Sequence, residues 1–189
     1  CALPISIIAA SHPSDCFEMA IEAARIATRY KVPVFLLSDG YIANGSEPWK
    51  VPSKSELPNL KVEFAKRTEN FQPYDRDPKT LSRPWAIPGT KGLEHRIGGL
   101  EKADKTGDIS YDPTNHDFMV RTRQAKIDGI EVPDIVVDDP NGKAKAIYLG
   151  WGSTYGPIKA AVAALRSEGI EIAQAHIKYL RSEEHTSEL

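Results

Sequence analysis

Ten of the fourteen prolines lie between residues 44 and 143: Pro48, Pro52, Pro58, Pro73, Pro78, Pro84, Pro88, Pro113, Pro133 and Pro140. Proline gives no amide donor and pushes its predecessor out of the helical region, so long regular elements are disfavoured through that stretch. Regular structure must therefore concentrate on either side of it. The expected organisation is an α/β unit at residues 7–43, an irregular connector at 44–143, and the start of a second α/β unit at 144–180.

In the first unit Ile7, Ile8, Ala9 and Ala10 form a short apolar run. Ser14 and Asp15 suit a helix N-cap, and Phe17, Ala20, Ile21, Ala24, Ala27 and Tyr30 then recur at helical spacing. Residues 33–37 (PVFLL) follow, apolar at every position, the mark of a parallel strand buried on both faces. Strand, helix and buried strand make a βαβ unit. The last unit starts the same way. Residues 146–149 (AIYL) predict a short buried strand with neighbours on both sides, and a glycine-rich turn runs from Gly150 to Gly156. Pro157 then opens a helix with Ile158, Ala161, Val162 and Leu165 at i, i+3, i+4 and i+7, and Gly169 stops it. Another strand begins within 170–177. In the connector a strand is expected at 60–65, and one helix is well signalled by Asp112 as N-cap, Pro113 at the first helical position and Gly129 past the end. Trp49, Phe64, Phe71, Tyr74, Trp85 and Ile87 are too many apolar anchors for disorder. Trp49, Trp85 and Ile87 should hold the connector to the α/β units.

A net charge of −2 gives no electrostatic reason to expect nucleic acid or an anionic membrane as partner. No apolar run approaches the roughly 20 residues that span a bilayer. Cys1 and Cys16 form neither a disulfide framework nor a CxxC pair, which points to a reducing, cytoplasmic compartment. Both ends, residues 1–5 (CALPI) and 181–189 (RSEEHTSEL), resemble translations of a common sequencing-library adapter. Residues 1–6 and 181–189 are therefore expected to be non-native, and the rest to be a fragment.

Gly150, Gly152 and Gly156 follow a strand and open a helix, where backbone amides favour an anion. Their G-x-G-x-x-x-G spacing is one residue longer than the dinucleotide fingerprint, and Glu171 stands at the beginning of the next strand rather than its end. A structural turn at a subunit or domain contact is the expectation, with Gly150, Gly152 and Ser153 as weak candidates for cofactor binding. Ser38 and Asp39 are weak candidates too. They sit at the carboxyl end of a parallel strand, where open α/β sheets bind ligands; Ser, Asp and Gly also end strands for local reasons, and both readings stay open. His12 and Cys16 have no further ligand near them, and Asp104, Asp108 and Asp112 miss the calcium-loop spacing. His95 with Arg96, and His116 with Arg121 and Arg123, are expected at solvated surface. No catalytic or metal-ligating residue is assigned.

Three segments carry a family resemblance: residues 32–45 (VPVFLLSDGYIANG), 87–99 (IPGTKGLEHRIGG) with 109–113 (ISYDP), and 149–156 (LGWGSTYG). In this order they resemble the α subunit of 2-oxoacid:ferredoxin oxidoreductases, most of all the 2-oxoglutarate type. The resemblance implies that 7–43 is the C-terminal part of the pyrimidine-binding domain of a thiamine-diphosphate enzyme, and 144–180 the start of a transketolase-C-like α/β domain. It implies oxidative decarboxylation of a 2-oxoacid on thiamine diphosphate with Mg²⁺, electron transfer through an iron–sulfur cluster in a partner β subunit to ferredoxin, and acyl transfer to coenzyme A. It also implies that the activating glutamate lies upstream and the diphosphate site in the β subunit, so the fragment alone is inactive. A non-catalytic α/β assembly module and a NAD-binding domain are the alternatives from the residues alone.

Overall fold

The computed structural model describes residues 5–66 and 68–181. The expectations for 1–4 and 182–189 lie outside the described residues.

The first sheet grows from β1 (Ser6–Ala9), α1 (Asp15–Tyr30) and β2 (Val34–Leu37). β1 and β2 are parallel, with Ile8 opposite Leu36, so α1 is the crossover that the apolar runs predict. β6 (Tyr179–Arg181) adds antiparallel on the other side of β1, giving the order β2-β1-β6. Ser6 and Arg181, expected to be non-native, are thus strand residues, and Arg181 pairs with Ile7. The central place of β1 explains why Ile8 and Ala9 are fully buried. β2 lies at the edge, and here the expectation of burial on both faces is corrected. Phe35 is 55 % exposed and Leu37 is exposed as well, because among the described residues no element covers that face.

The buried face of α1 is also turned from the expected one. Met19, Ile26 and Tyr30 enter the core while Phe17 lies outside, its ring tilted against that of Trp49 with centroids 5.0 Å apart. The reason is distant in sequence. Ile127 and Ile130 pack into the same cluster as Ile8, Ile26 and Tyr30, and the Tyr30 hydroxyl accepts the Glu131 amide at 2.9 Å.

Ile127 stands in the last turn of α3 (Pro113–Asp128), and Ile130 and Glu131 follow that helix, whose start is the predicted one: Pro113 opens it and the Asp112 carboxylate accepts the Thr114 amide at 2.9 Å. The short helix α2 (Gly40–Asn44) and a 3₁₀ turn (Lys54–Glu56) precede it. The strand expected at 60–65 is absent as a strand; only Phe64 bridges to Trp85 there. Of the expected anchors, Trp85 donates its indole N–H to the Thr28 carbonyl at 2.9 Å, whereas Trp49 lies against the ring of Phe17 and stays partly exposed, and Ile87 is half exposed.

The second sheet has the order β3-β5-β4, from β3 (Val137–Asp138), β4 (Ile147–Trp151) and β5 (Ala173–Ile177). β4 and β5 are parallel, joined through a 3₁₀ turn (Gly152–Thr154) and α4 (Tyr155–Ser167), so the helix starts two residues before Pro157. β5 is central and its Ala173, Gln174 and Ala175 are buried. β4 is an edge, which corrects the expectation of a buried strand: Ile147, Tyr148 and Leu149 are exposed. Only Lys178 separates β5 from β6, so the chain passes from the second sheet directly into the first. The Ala9 amide donates to the Lys178 carbonyl at 2.8 Å at that crossing.

Candidate functional site

Two candidate segments that are far apart in sequence meet in space. Asp39 lies two residues past β2 and caps α2, its Oδ1 accepting the Ile42 amide at 2.9 Å. Its Oδ2 accepts the amide of Ser153, 114 residues away, at 3.2 Å. Hydrogen bonding from Ser153 first, then from the Ile42 amide, holds the Asp39 carboxyl below its ordinary range. Gly152 is buried at φ +60°, a conformation that favours glycine, and a Cβ there would face Asp39 Oδ2 at 3.7 Å. A Cβ on Gly150 would stand 2.4 Å from Ile158 Cδ1 and 2.7 Å from Thr154 Oγ1. The space above the turn is therefore occupied by the protein's own side chains. Ser38, by contrast, is directed to the Cys16 thiol. Asp39, Gly152 and Ser153 thus form a contact between the two sheets, while Ser38 and Gly150 face neighbours within their own units, and with the Asp39 carboxylate on the Ser153 amide the geometry does not fit a diphosphate cradle.

A second group forms where β1 ends and α1 begins. Asp15 is almost fully buried. Its Oδ2 accepts the Ser11 amide at 2.8 Å and the Ser11 hydroxyl at 2.7 Å, and its Oδ1 accepts Lys178 Nζ at 2.6 Å. Burial pushes this carboxyl up, but the Lys178 and Ser11 hydrogen bonds outweigh it and hold it below the usual range. Beside it, Glu47 Oε1 accepts the Ser14 amide at 2.5 Å and meets His12 Nδ1 at 2.7 Å. Hydrogen bonds from Ser14 and then His12 lower Glu47 to about 2. His12, Tyr155 and His176 follow one another, with ring centroids 5.9 Å and 5.1 Å apart. His176 Nε2 is buried with no partner among the described residues, and burial, reinforced by the Lys178 charge, lowers its pKa and favours the neutral ring. This row borders an apolar cleft of about 660 Å³ lined by Met19, Val132, Tyr155, His176 and Tyr179.

The remaining candidates are placed plainly. His116 and Arg123 both turn to Glu101, at 2.9 Å and 3.2 Å, and Arg121 pairs with Asp117. Asp104 pairs with Arg76, and Asp112 is a helix cap. Among the described residues no three His, Cys, Asp or Glu side chains gather as a metal ion would need. Sequence reasoning missed the Asp15–Lys178 pair and the His12–Tyr155–His176 row. The only signal for them is that their residues lie at strand carboxyl ends and helix starts.

Two α/β sheets coupled at strand ends define the class of chain, and comparison with known proteins makes it specific. Residues 2–112 match the family described as pyruvate flavodoxin/ferredoxin oxidoreductase, thiamine diphosphate-binding. The chain belongs to that family. It is 61 % identical over 177 residues to the 2-oxoglutarate oxidoreductase subunit KorA of Mycobacterium tuberculosis, covering 94 % of this chain and 27 % of that protein. It is 28 % identical to the α subunit of 2-oxoacid:ferredoxin oxidoreductase 1 of Aeropyrum pernix, covering 94 % of this chain and 28 % of that subunit. Its fold matches a chain of the 2-oxoglutarate:ferredoxin oxidoreductase of Magnetococcus marinus with TM-score 0.86 and 26 % identity, over 98 % of this chain and 32 % of that one. The chain thus spans about a quarter to a third of the length of these relatives. No helix of the described residues is long and apolar enough to cross a membrane.

Proposed function

We propose that this chain is a segment of the α subunit of a cytoplasmic 2-oxoacid:ferredoxin oxidoreductase acting on 2-oxoglutarate. The observation that carries this reading is 61 % identity to a 2-oxoglutarate oxidoreductase subunit sustained over 94 % of the chain. In the complete enzyme thiamine diphosphate with Mg²⁺ supplies the decarboxylation chemistry. A β subunit carries the iron–sulfur cluster, ferredoxin takes the electrons and coenzyme A takes the acyl group. Residues 7–43 serve as the end of the pyrimidine-binding domain, 44–143 as a connector, and 144–180 as the start of the following α/β domain. The role of this segment is to hold those two units in register through Asp39, Ser153, Asp15 and Lys178. It contributes no reacting group of its own.

The test is a reconstitution. The full-length subunit, co-expressed with a β subunit, is assayed for reduction of ferredoxin with 2-oxoglutarate and with pyruvate. Turnover with 2-oxoglutarate that requires both thiamine diphosphate and coenzyme A supports the reading. Turnover with pyruvate alone would move the substrate while keeping the class; no turnover with any 2-oxoacid would remove the class as well.

A further inference from the structure

Five cations lie near one another where the connector meets the C-terminal end of α1. Lys31 caps the end of α1, Arg76 and Arg83 come from the connector loop, and Arg123 and Lys126 from the last turns of α3. Arg76 and Arg83 share the Tyr74 ring, with guanidinium carbons 5.3 Å and 4.6 Å from its centroid. Lys31 Nζ lies 4.4 Å from the Trp85 ring centroid and donates to the Pro84 carbonyl at 2.8 Å. Two carboxylates serve the group: Asp104 pairs with Arg76, and Glu101 with Arg123. Lys31, Arg83 and Lys126 have no carboxylate partner among the described residues, and Arg83 Nη1 is buried without any hydrogen-bond partner.

Partly buried cations without counter-charge are costly, and a buried guanidinium N–H with no acceptor asks for one. The strain is visible in the lysines. Burial, then the charge of Arg83, lowers Lys31 to about 8; burial, then the charges of Arg76, Arg83, Lys31 and Arg123, lowers Lys126 to about 8. Arg76, Arg83 and Trp85 also line a polar cleft of about 700 Å³, together with Thr28, Ser82 and Lys61. Its acids, Glu63, Asp75 and Asp77, are exposed, and Asp77 already accepts the Lys79 and Thr80 amides.

We propose that Arg83, Lys126 and Lys31, with Arg76 beside them, form a binding site for a phosphate dianion at the edge of this cleft. Three uncompensated positive charges match a doubly charged ligand better than a single carboxylate, and a guanidinium beside two ammonium groups suits phosphate oxygens. Free phosphate and the phosphate of a larger ligand lying in the cleft share this chemistry.

The experiment reads Lys126 directly in the full-length protein. Acetylation of each lysine by an amine-reactive reagent is followed by peptide mass spectrometry at pH 8, with Lys79, 75 % exposed, as internal reference. Inorganic phosphate and adenosine monophosphate are added in separate arms, and chloride keeps the ionic strength constant. A dianion against Lys126 keeps its amine protonated and slows its labelling by roughly fivefold at this pH, the effect of raising a pKa of about 8 by one unit. Protection by both probes identifies the free anion as sufficient, whereas protection by the nucleotide alone identifies a larger ligand that needs the cleft. In Arg83→Gln the protection is lost, and in Arg83→Lys part of it returns. Equal labelling of Lys126 with and without both probes overturns the site, as does unchanged protection in Arg83→Gln.

Discussion

Asp39 and Gly152 show how much a single contact between distant segments decides. Gly152 sits at φ +60°, where a β-branched side chain is strained, so Gly152→Val is expected to destabilise the protein by about 1–3 kcal/mol. Asp39→Ala removes a helix cap and also frees the Ser153 amide. Both variants are expected to lower the melting temperature of the assembled enzyme while leaving its affinity for thiamine diphosphate within about twofold, a change of about 0.4 kcal/mol. Calorimetry and cofactor titration on the same samples check this; selective loss of cofactor affinity at unchanged stability would give the turn a binding role. Asp15 carries a pH signature. Its folded pKa lies below the ordinary 3.8, so its contribution is complete at higher pH and is lost as pH falls through 3.8 and below. Asp15→Asn should therefore flatten the dependence of stability on pH from roughly pH 5 downward. Lys178→Met leaves the buried carboxylate unpaired and is expected to cost about 2 kcal/mol, a value reduced from that of a fully buried pair because Lys178 is a third exposed. If acid denaturation of Asp15→Asn follows the parent, the pair contributes nothing.

At the scale of elements, α3 docks on the first sheet through Ile127 and through Ile130 just past its end, both essentially buried. Ile130→Ala is expected to destabilise by about 2–4 kcal/mol, which urea unfolding measures; a loss under about 0.5 kcal/mol, the range of surface changes, would mean that the helix is not part of the core. What the sequence disclosed follows from this geometry. The βαβ of β1, α1 and β2, the limits of α3 and the pairing of β4 with β5 were legible, because caps, apolar spacing and glycine stops are local signals. β3 and β6 were not, being strands of two and three residues whose partners lie far along the chain. Nor was the buried face of α1, set by Ile127, Ile130 and Glu131 about a hundred residues away. Ser38–Asp39 and the glycine turn were each visible as sites, yet nothing local says that Asp39 accepts from Ser153. The exposure of β2 and β4 escaped for another reason: an apolar run reports what a strand prefers to bury, not whether a neighbour is there to cover it.

At the scale of the whole molecule, those uncovered strands have consequences. Ile147, Tyr148, Leu149 and Trp151 are each 44–50 % exposed along one edge strand, a template for pairing with other chains. The 189-residue chain on its own is expected to aggregate at micromolar concentration, and the double variant Tyr148→Lys, Leu149→Glu to aggregate less; static light scattering compares them. If both scatter alike, the edge is not the cause. The chain alone should also show no 2-oxoacid oxidation with thiamine diphosphate, Mg²⁺, coenzyme A and ferredoxin supplied. The most direct test of the central claim is a transplant. Residues 7–180 replace the matching segment of the Mycobacterium tuberculosis subunit, to which this chain is 61 % identical, and 2-oxoglutarate oxidation is measured. A segment that frames two domains without supplying a reacting group should leave turnover within about tenfold of the parent, a barrier change of about 1.4 kcal/mol. A chimera that folds and assembles as the parent subunit does yet turns over nothing would contradict the account.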